Sequence, residues 1–185
     1  GKILASSTDK PNFTLYPTPR AIWVLASAIP FALIIAVLFP SVWALGAAWA
    51  AAITGALLLD AFLAVASKYM TPTLTMPVRL FIGAEKAVFH FRDLTARRPD
   101  RAEFKLSAND RLDVKTDLSG FIPEPGMPSI QFRVQARRRG DAVLKRLWSR
   151  WQGPLGLIWF QRCDPLNLSI AVVPDTQLVK ETAID

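Results

Sequence analysis

The residues best equipped for chemistry lie close together. Arg137 to Leu157, RRRGDAVLKRLWSRWQGPLGL, combines a run of arginines, an RGD triplet, two tryptophans and a Gly-Pro-Leu-Gly turn. Each piece suggests a different chemistry. RGD at a turn is an adhesion ligand if it faces the outside of a cell, and an ordinary Gly/Asp turn otherwise. Arg146, Trp148 and Arg150 alternate, so they fall on one face of a strand with Leu144, while Val143, Leu147 and Trp151 fall on the other. An outward Trp/Arg face can stack single-stranded bases, yet it is also how a sheet shields an aromatic ring with guanidinium groups. No further basic-aromatic strand accompanies this one, so nucleic acid is not the expected partner. The GPLG turn lacks the Lys-Ser/Thr that completes a phosphate loop and reads as a tight hairpin turn.

Elsewhere chemistry is sparse. His90 is the sole histidine and alternates with Phe89 and Phe91 on a strand, which reads as a surface or edge imidazole. Cys163 is the sole cysteine and can form no internal bridge; it reads as a small buried or half-buried side chain in a reducing compartment. No Cys/His cluster has metal-ligand spacing and no serine elbow is present, so neither catalytic, cofactor-binding nor metal residues are expected. The reading is of a protein that acts by contact.

The elements that position these residues divide the chain in two. Ala21 to Phe39 is an apolar run of the length that crosses about 30 Å of hydrocarbon, and a second run extends from Val42 to Val65. Only Pro40 and Ser41 separate them. The expected organisation is an N-terminal segment over residues 1–20, a two-helix transmembrane hairpin over 21–67 and a soluble domain over 68–185. Lys2, Lys10 and Arg20 precede the hairpin and Lys68 and Arg79 follow it, whereas its turn is uncharged. The positive-inside rule therefore places both ends and the soluble domain in the cytoplasm. From Ala66 onward 19 basic residues face 13 acidic ones, most of the net +7 of the chain, and such an excess favours an anionic surface such as the bilayer.

Within the hairpin, small residues recur at every fourth position: Ala28, Ala32 and Ala36 in the first span, Ala47, Ala51 and Gly55 in the second. This spacing suggests two packing stripes that let the helices touch. A parallel stripe, Gly46, Ala50 and Thr54, offers a second face. Pro30 predicts a kink in the first span. Asp60, the lone acid of the spans, reads as a carboxylate snorkelling to the headgroups rather than as a proton relay.

After Thr71 the pattern becomes alternation. Ile130, Phe132, Val134 and Ala136 face one way and Gln131, Arg133, Gln135 and Arg137 the other. Ala87, Phe89 and Phe91 repeat it. Seven or eight short strands separated by turn sequences predict an all-β, antiparallel, immunoglobulin-like sandwich. Arg137, Arg138 and Arg139 then lie at a strand end, available to acidic lipid or a partner, and Arg146, Trp148 and Arg150 form an outward face.

Several motifs occur in a telling order. YPTPRA precedes the first span, FIGAE runs from Phe81 to Glu85, then come RRGDAVLKRLWSRWQGPLGLIWFQR and a closing AVVPDTQLVKE. Together they resemble the amino-terminal half of the bacterial domain-of-unknown-function 58 family, along nearly the whole chain. The resemblance implies a membrane hairpin, a cytoplasmic β-sandwich and a following von Willebrand A-like domain, in proteins associated with a MoxR-type AAA+ ATPase. That α/β domain is not part of this sequence, so no metal site of its own carries over, and Gly1 in place of an initiator Met suggests a trimmed start. The expected function is a non-enzymatic, membrane-anchored scaffold or adaptor with that ATPase as partner. The alternative is an accessory subunit that braces a larger membrane complex, respiratory or photosynthetic.

Overall fold

The computed structural model describes residues 2–6, 10–77, 79–81, 84–91, 99, 101–116 and 128–173. Most of the RRPD and PEPGMP turns, the centre of FIGAE and the closing run from Pro174 lie outside the described residues.

Two strands precede the helices. β1 (Lys2–Ser6) and β2 (Asn12–Pro17) lead into α1 (Pro19–Leu38); a short 3-10 turn, Pro40–Val42, reverses the chain into α2 (Trp43–Leu63). A second 3-10 turn, Ser67–Met70, returns it to β3 (Thr73–Pro77) and β4 (Arg79–Phe81). There follow β5 (Ala84–His90), β6 (Ala102–Ala108), β7 (Leu112–Thr116), β8 (Ser129–Ala136), β9 (Gly140–Gln152) and β10 (Ile158–Val173). Eight described strands thus follow Thr71, as the alternation predicts. The helices are nevertheless inserted between strands rather than placed ahead of them.

The strands form two five-stranded sheets. One has the order β1-β3-β5-β8-β7; the other runs β2-β10-β9-β6, with β4 parallel to the far end of β10. All other pairings are antiparallel. The sheets enclose one core. Leu74, Phe89, Ile130, Phe132 and Val134 from the first meet Leu106, Leu144, Leu147, Trp151 and Ile170 from the second. Phe89 and Phe132 meet edge to face at 5.7 Å, a favoured aromatic geometry. His90 pairs with Thr73 and Ser129 on the central strand β5, so it is half-buried inside a sheet rather than at an edge.

β9 departs from the simple alternation. Leu144 and Leu147 are both buried, because the register against β6 slips between Ser107 and Ala108 and that against β10 between Pro165 and Leu168. A bulge of this kind inverts the face of every residue beyond it. Leu144, not Val143, therefore joins Leu147 and Trp151 in the core, while Arg146, Trp148 and Arg150 do face outward.

α1 begins where Thr18 caps it, its hydroxyl accepting from the Ala21 N–H at 3.2 Å with Pro19 at the first helical position. The helix runs unbroken through Pro30 to Leu38. Both helices are long and apolar enough to cross a bilayer.

Candidate functional site

The helices and the sandwich are joined at one turn. Gly153 to Leu157, between β9 and β10, wraps around the Asp60 carboxylate, which is fully buried on the last turn of α2. Asp60 Oδ1 accepts from the Leu155 N–H at 2.6 Å, and Oδ2 accepts from Leu157 and Ile158 at 2.8 and 3.0 Å. The turn is an anion-binding concavity of backbone N–H groups whose anion is supplied by a helix. Bonds from N–H to an ionised carboxylate are about twice as strong as neutral ones. Gly153 is required by proximity, since a Cβ there would lie 2.7 Å from Asp60 Oδ2. Gly156 is required by conformation, at φ +69.

The start of α1 grips the same turn. The Thr18 hydroxyl donates to the Gly156 carbonyl at 2.9 Å, and the Thr18 N–H donates to the Leu157 carbonyl at 2.8 Å. One five-residue turn therefore holds the cap residue of one helix and the last turn of the other. Snorkelling does not describe Asp60: its partners are backbone donors nearly a hundred residues away, which leave no side-chain signal in the sequence.

Two further ties fasten the segment after α2. The Trp151 indole donates from Nε1 to the Val65 carbonyl at 2.9 Å. Arg162 and Asp164 form a buried ion pair, 2.7 Å from Nη2 to Oδ1, and Arg162 Nη1 donates to the Ser67 carbonyl at 2.6 Å. A buried pair of this kind persists only with its remaining donors satisfied, and Ser67 provides one acceptor. Phe13 on β2 closes over Trp151 and Phe160, whose rings stack at 5.9 Å.

The outer face of β9 is the second notable surface. The Arg150 guanidinium lies 4.3 Å from the Trp159 ring centroid, pairs with Glu103 and donates to the Tyr16 hydroxyl at 3.4 Å. Its bonds to Tyr16 and Glu103 raise its already high pKa, outweighing the loss of hydration. Arg150 and Glu103, with Phe104, Lys105, Trp148 and Gln161, line a groove of about 510 Å³. Arg146 is exposed farther along β9.

Arg137, Arg138 and Arg139 lie at the opposite end of that strand. β9 spans 13 residues between them and the Asp60 turn, about 40 Å of extended chain. Arg137 pairs with Asp113 at 2.8 Å, and the Arg139 carbonyl accepts from Arg111 at 2.6 Å. The arginines are therefore separated from the base of the hairpin by the length of β9. Gly140 of the RGD triplet has φ +114 and its missing side chain leaves room for the Arg111 guanidinium.

Of the two four-residue stripes only Ala28 and Ala32 are covered, and the covered faces recur instead at seven-residue steps. Ala21, Ala28 and Ile35 with Ala32 form the covered face of α1; Gly46, Ile53 and Asp60 with Ala56 and Leu57 form that of α2. Gly46 faces Ala32, and a Cβ at Gly46 would stand 3.5 Å from the Ala32 Cβ. Ala36, Ala47, Ala51 and Gly55 are exposed, and nothing lies within 4 Å of where a Gly55 Cβ would be. The reason is rotation: four-residue steps drift about 40° around a helix of 3.6 residues per turn, whereas a seven-residue step drifts about 20°.

Among the described residues, no group of three His, Cys, Asp or Glu side chains could hold a metal. Thr18 is the site residue that the sequence reading passes over, the Thr-Pro pair ahead of an apolar run being the available signal, whereas Asp60 stands out as a lone acid but with a different role. Comparison with protein-family models, with curated proteins and with solved structures finds no match to the chain.

Proposed function

We propose that this protein is a non-enzymatic, membrane-anchored scaffold whose helical hairpin spans a bacterial cytoplasmic membrane and whose immunoglobulin-like sandwich presents a docking face in the cytoplasm. The observation that carries this reading is the grip of one turn on both Thr18 and Asp60. It supports both ends of the hairpin lying on one side of the bilayer, with the sandwich fixed to them rather than tethered. The excess of basic residues flanking the apolar helices supports the cytoplasmic side. Two sheets packed about Trp151 and Phe132 support the immunoglobulin-like reading.

The partner in this reading is a MoxR-type AAA+ ATPase, following the resemblance to the domain-of-unknown-function 58 family, and it docks on the Trp148/Arg150 face. Trp and Arg are the residues most enriched where interface energy concentrates, and truncating one there costs about 2 kcal/mol or more. Native purification in mild detergent followed by mass spectrometry tests this. The ATPase should co-purify, and Trp148→Ala should release it while leaving the unfolding temperature within a few degrees of wild type. A monodisperse monomer without partner would refute it.

A second reading is favoured by the open face of α2. Ala47, Ala51 and Gly55 leave room for a neighbouring helix to approach closely. In that case the protein braces a larger membrane complex, and the same purification would return stoichiometric integral-membrane subunits.

A further inference from the structure

We propose that the turn from Gly153 to Leu157 is itself a membrane contact, with Pro154 and Leu155 inserted among the lipid headgroups at the base of the hairpin. The inference rests on the reading that the helices span a bilayer, and it extends that reading to a part of the β-sandwich.

The argument starts from the backbone. A turn in water leaves several N–H groups to the solvent, and a turn that enters a water-poor layer must satisfy them internally. Here each one is satisfied. The Gly153 N–H donates to the Ile158 carbonyl at 3.2 Å and the Gly156 N–H to the Gly153 carbonyl at 2.9 Å. Leu155, Leu157 and Ile158 donate to Asp60, and Pro154 has no N–H to satisfy. On the acceptor side, the carbonyls of Gly156 and Leu157 are taken by Thr18.

The side chains fit the same environment. Pro154 and Leu155 are the exposed residues of the turn, and Leu155 is 48% exposed although it is a large apolar group. The position is set by Asp60, three residues before the end of α2, and by Thr18, directly before α1. In a hairpin that spans a bilayer, those two points mark the boundary between hydrocarbon and headgroup. At the two helix ends held by the turn, the exposed residues include Arg20 and Trp23 on α1 and Lys68 and Tyr69 just after α2, with Lys68 lying 4.9 Å from the Tyr69 ring centroid. Basic and aromatic side chains of this kind settle at the interface. The partner is thus the bilayer surface, and the turn acts as a wedge that sets the height and tilt of the sandwich above it.

Depth-dependent quenching tests the proposal on the full chain reconstituted in phosphatidylcholine/phosphatidylglycerol nanodiscs. In a Cys163→Ser background, Leu155→Cys, Ile29→Cys and Arg138→Cys are each labelled with an environment-sensitive fluorophore, and lipids carry a nitroxide on the headgroup or high on the acyl chain. The label at position 155 should be quenched at least twofold by headgroup or shallow acyl nitroxides, and that at 138 should not respond. Quenching at 29 without quenching at 155 overturns the wedge while the hairpin reading stands. Absence of quenching at both 29 and 155 overturns the hairpin reading and the wedge together. A label at 155 that is shielded from water yet insensitive to lipid nitroxides would indicate protein against the turn and also overturn the proposal.

Discussion

Asp60 on α2 fills the space that a side chain at Gly153 would need, so each residue determines what the other position can be. Its carboxylate stands 2.7 Å, at Oδ2, from the point a Gly153 Cβ would occupy, and is closer still at its other atoms. Gly153→Ala is expected to displace the carboxylate and weaken its three backbone bonds, at a cost of about 1–3 kcal/mol. Thermal unfolding in detergent measures it. In the Asp60→Ala background the same change should cost much less, because the obstacle is gone. Additive effects of the two substitutions would mean that they do not interact.

Gly46, rather than Ala51, is the close approach between the helices. Gly46→Leu should force the hairpin apart at Ala32 and lower stability by about 1–3 kcal/mol. Ala51→Leu, on the exposed face, should leave the purified protein within about 0.5 kcal/mol of wild type. Equal losses would contradict the seven-residue interface.

Cys163 is a poor reporter of topology despite being the sole thiol, since it is buried between Arg162 and Asp164. Burial pushes its pKa up; Arg146 opposes this in part, and Asp164 adds a smaller upward push. Less thiolate is therefore present at a given pH, and the native thiol should react with a maleimide many-fold more slowly than after denaturation. Engineered cysteines at Lys10, Ser41 and Arg138 report instead. In intact cells an impermeant reagent should reach position 41 alone, and labelling of 10 and 138 without 41 would reverse the orientation.

The core strand β8 and both apolar helices were legible, because a period of two or an unbroken apolar run is carried by the residues themselves. β2 was less so. Phe13, Leu15 and their polar neighbours do alternate, but the strand is completed by pairing with β10, nearly 150 positions along the chain. The bulge near Lys145 hid the true inner face of β9, since nothing in VLKRL marks where the register slips. The outward Arg146, Trp148 and Arg150 were read correctly because they lie on the turn side of that bulge. The Asp60 latch was hidden for a chemical reason: its donors are main-chain N–H groups, which every sequence contains.

The central claim is that Asp60 binds the β9–β10 turn and so makes hairpin and sandwich one unit. Hydrogen–deuterium exchange of the full chain in nanodiscs, wild type against Asp60→Asn, tests it most directly. Asparagine keeps the shape but only one acceptor oxygen, so at least one backbone donor loses its partner, at about 1–3 kcal/mol. The account predicts that the amides of Leu155, Leu157 and Ile158 exchange roughly ten-fold faster or more in the variant, while those of Phe132 and Val134 in β8 keep their protection. Unchanged exchange at the three turn amides would contradict it.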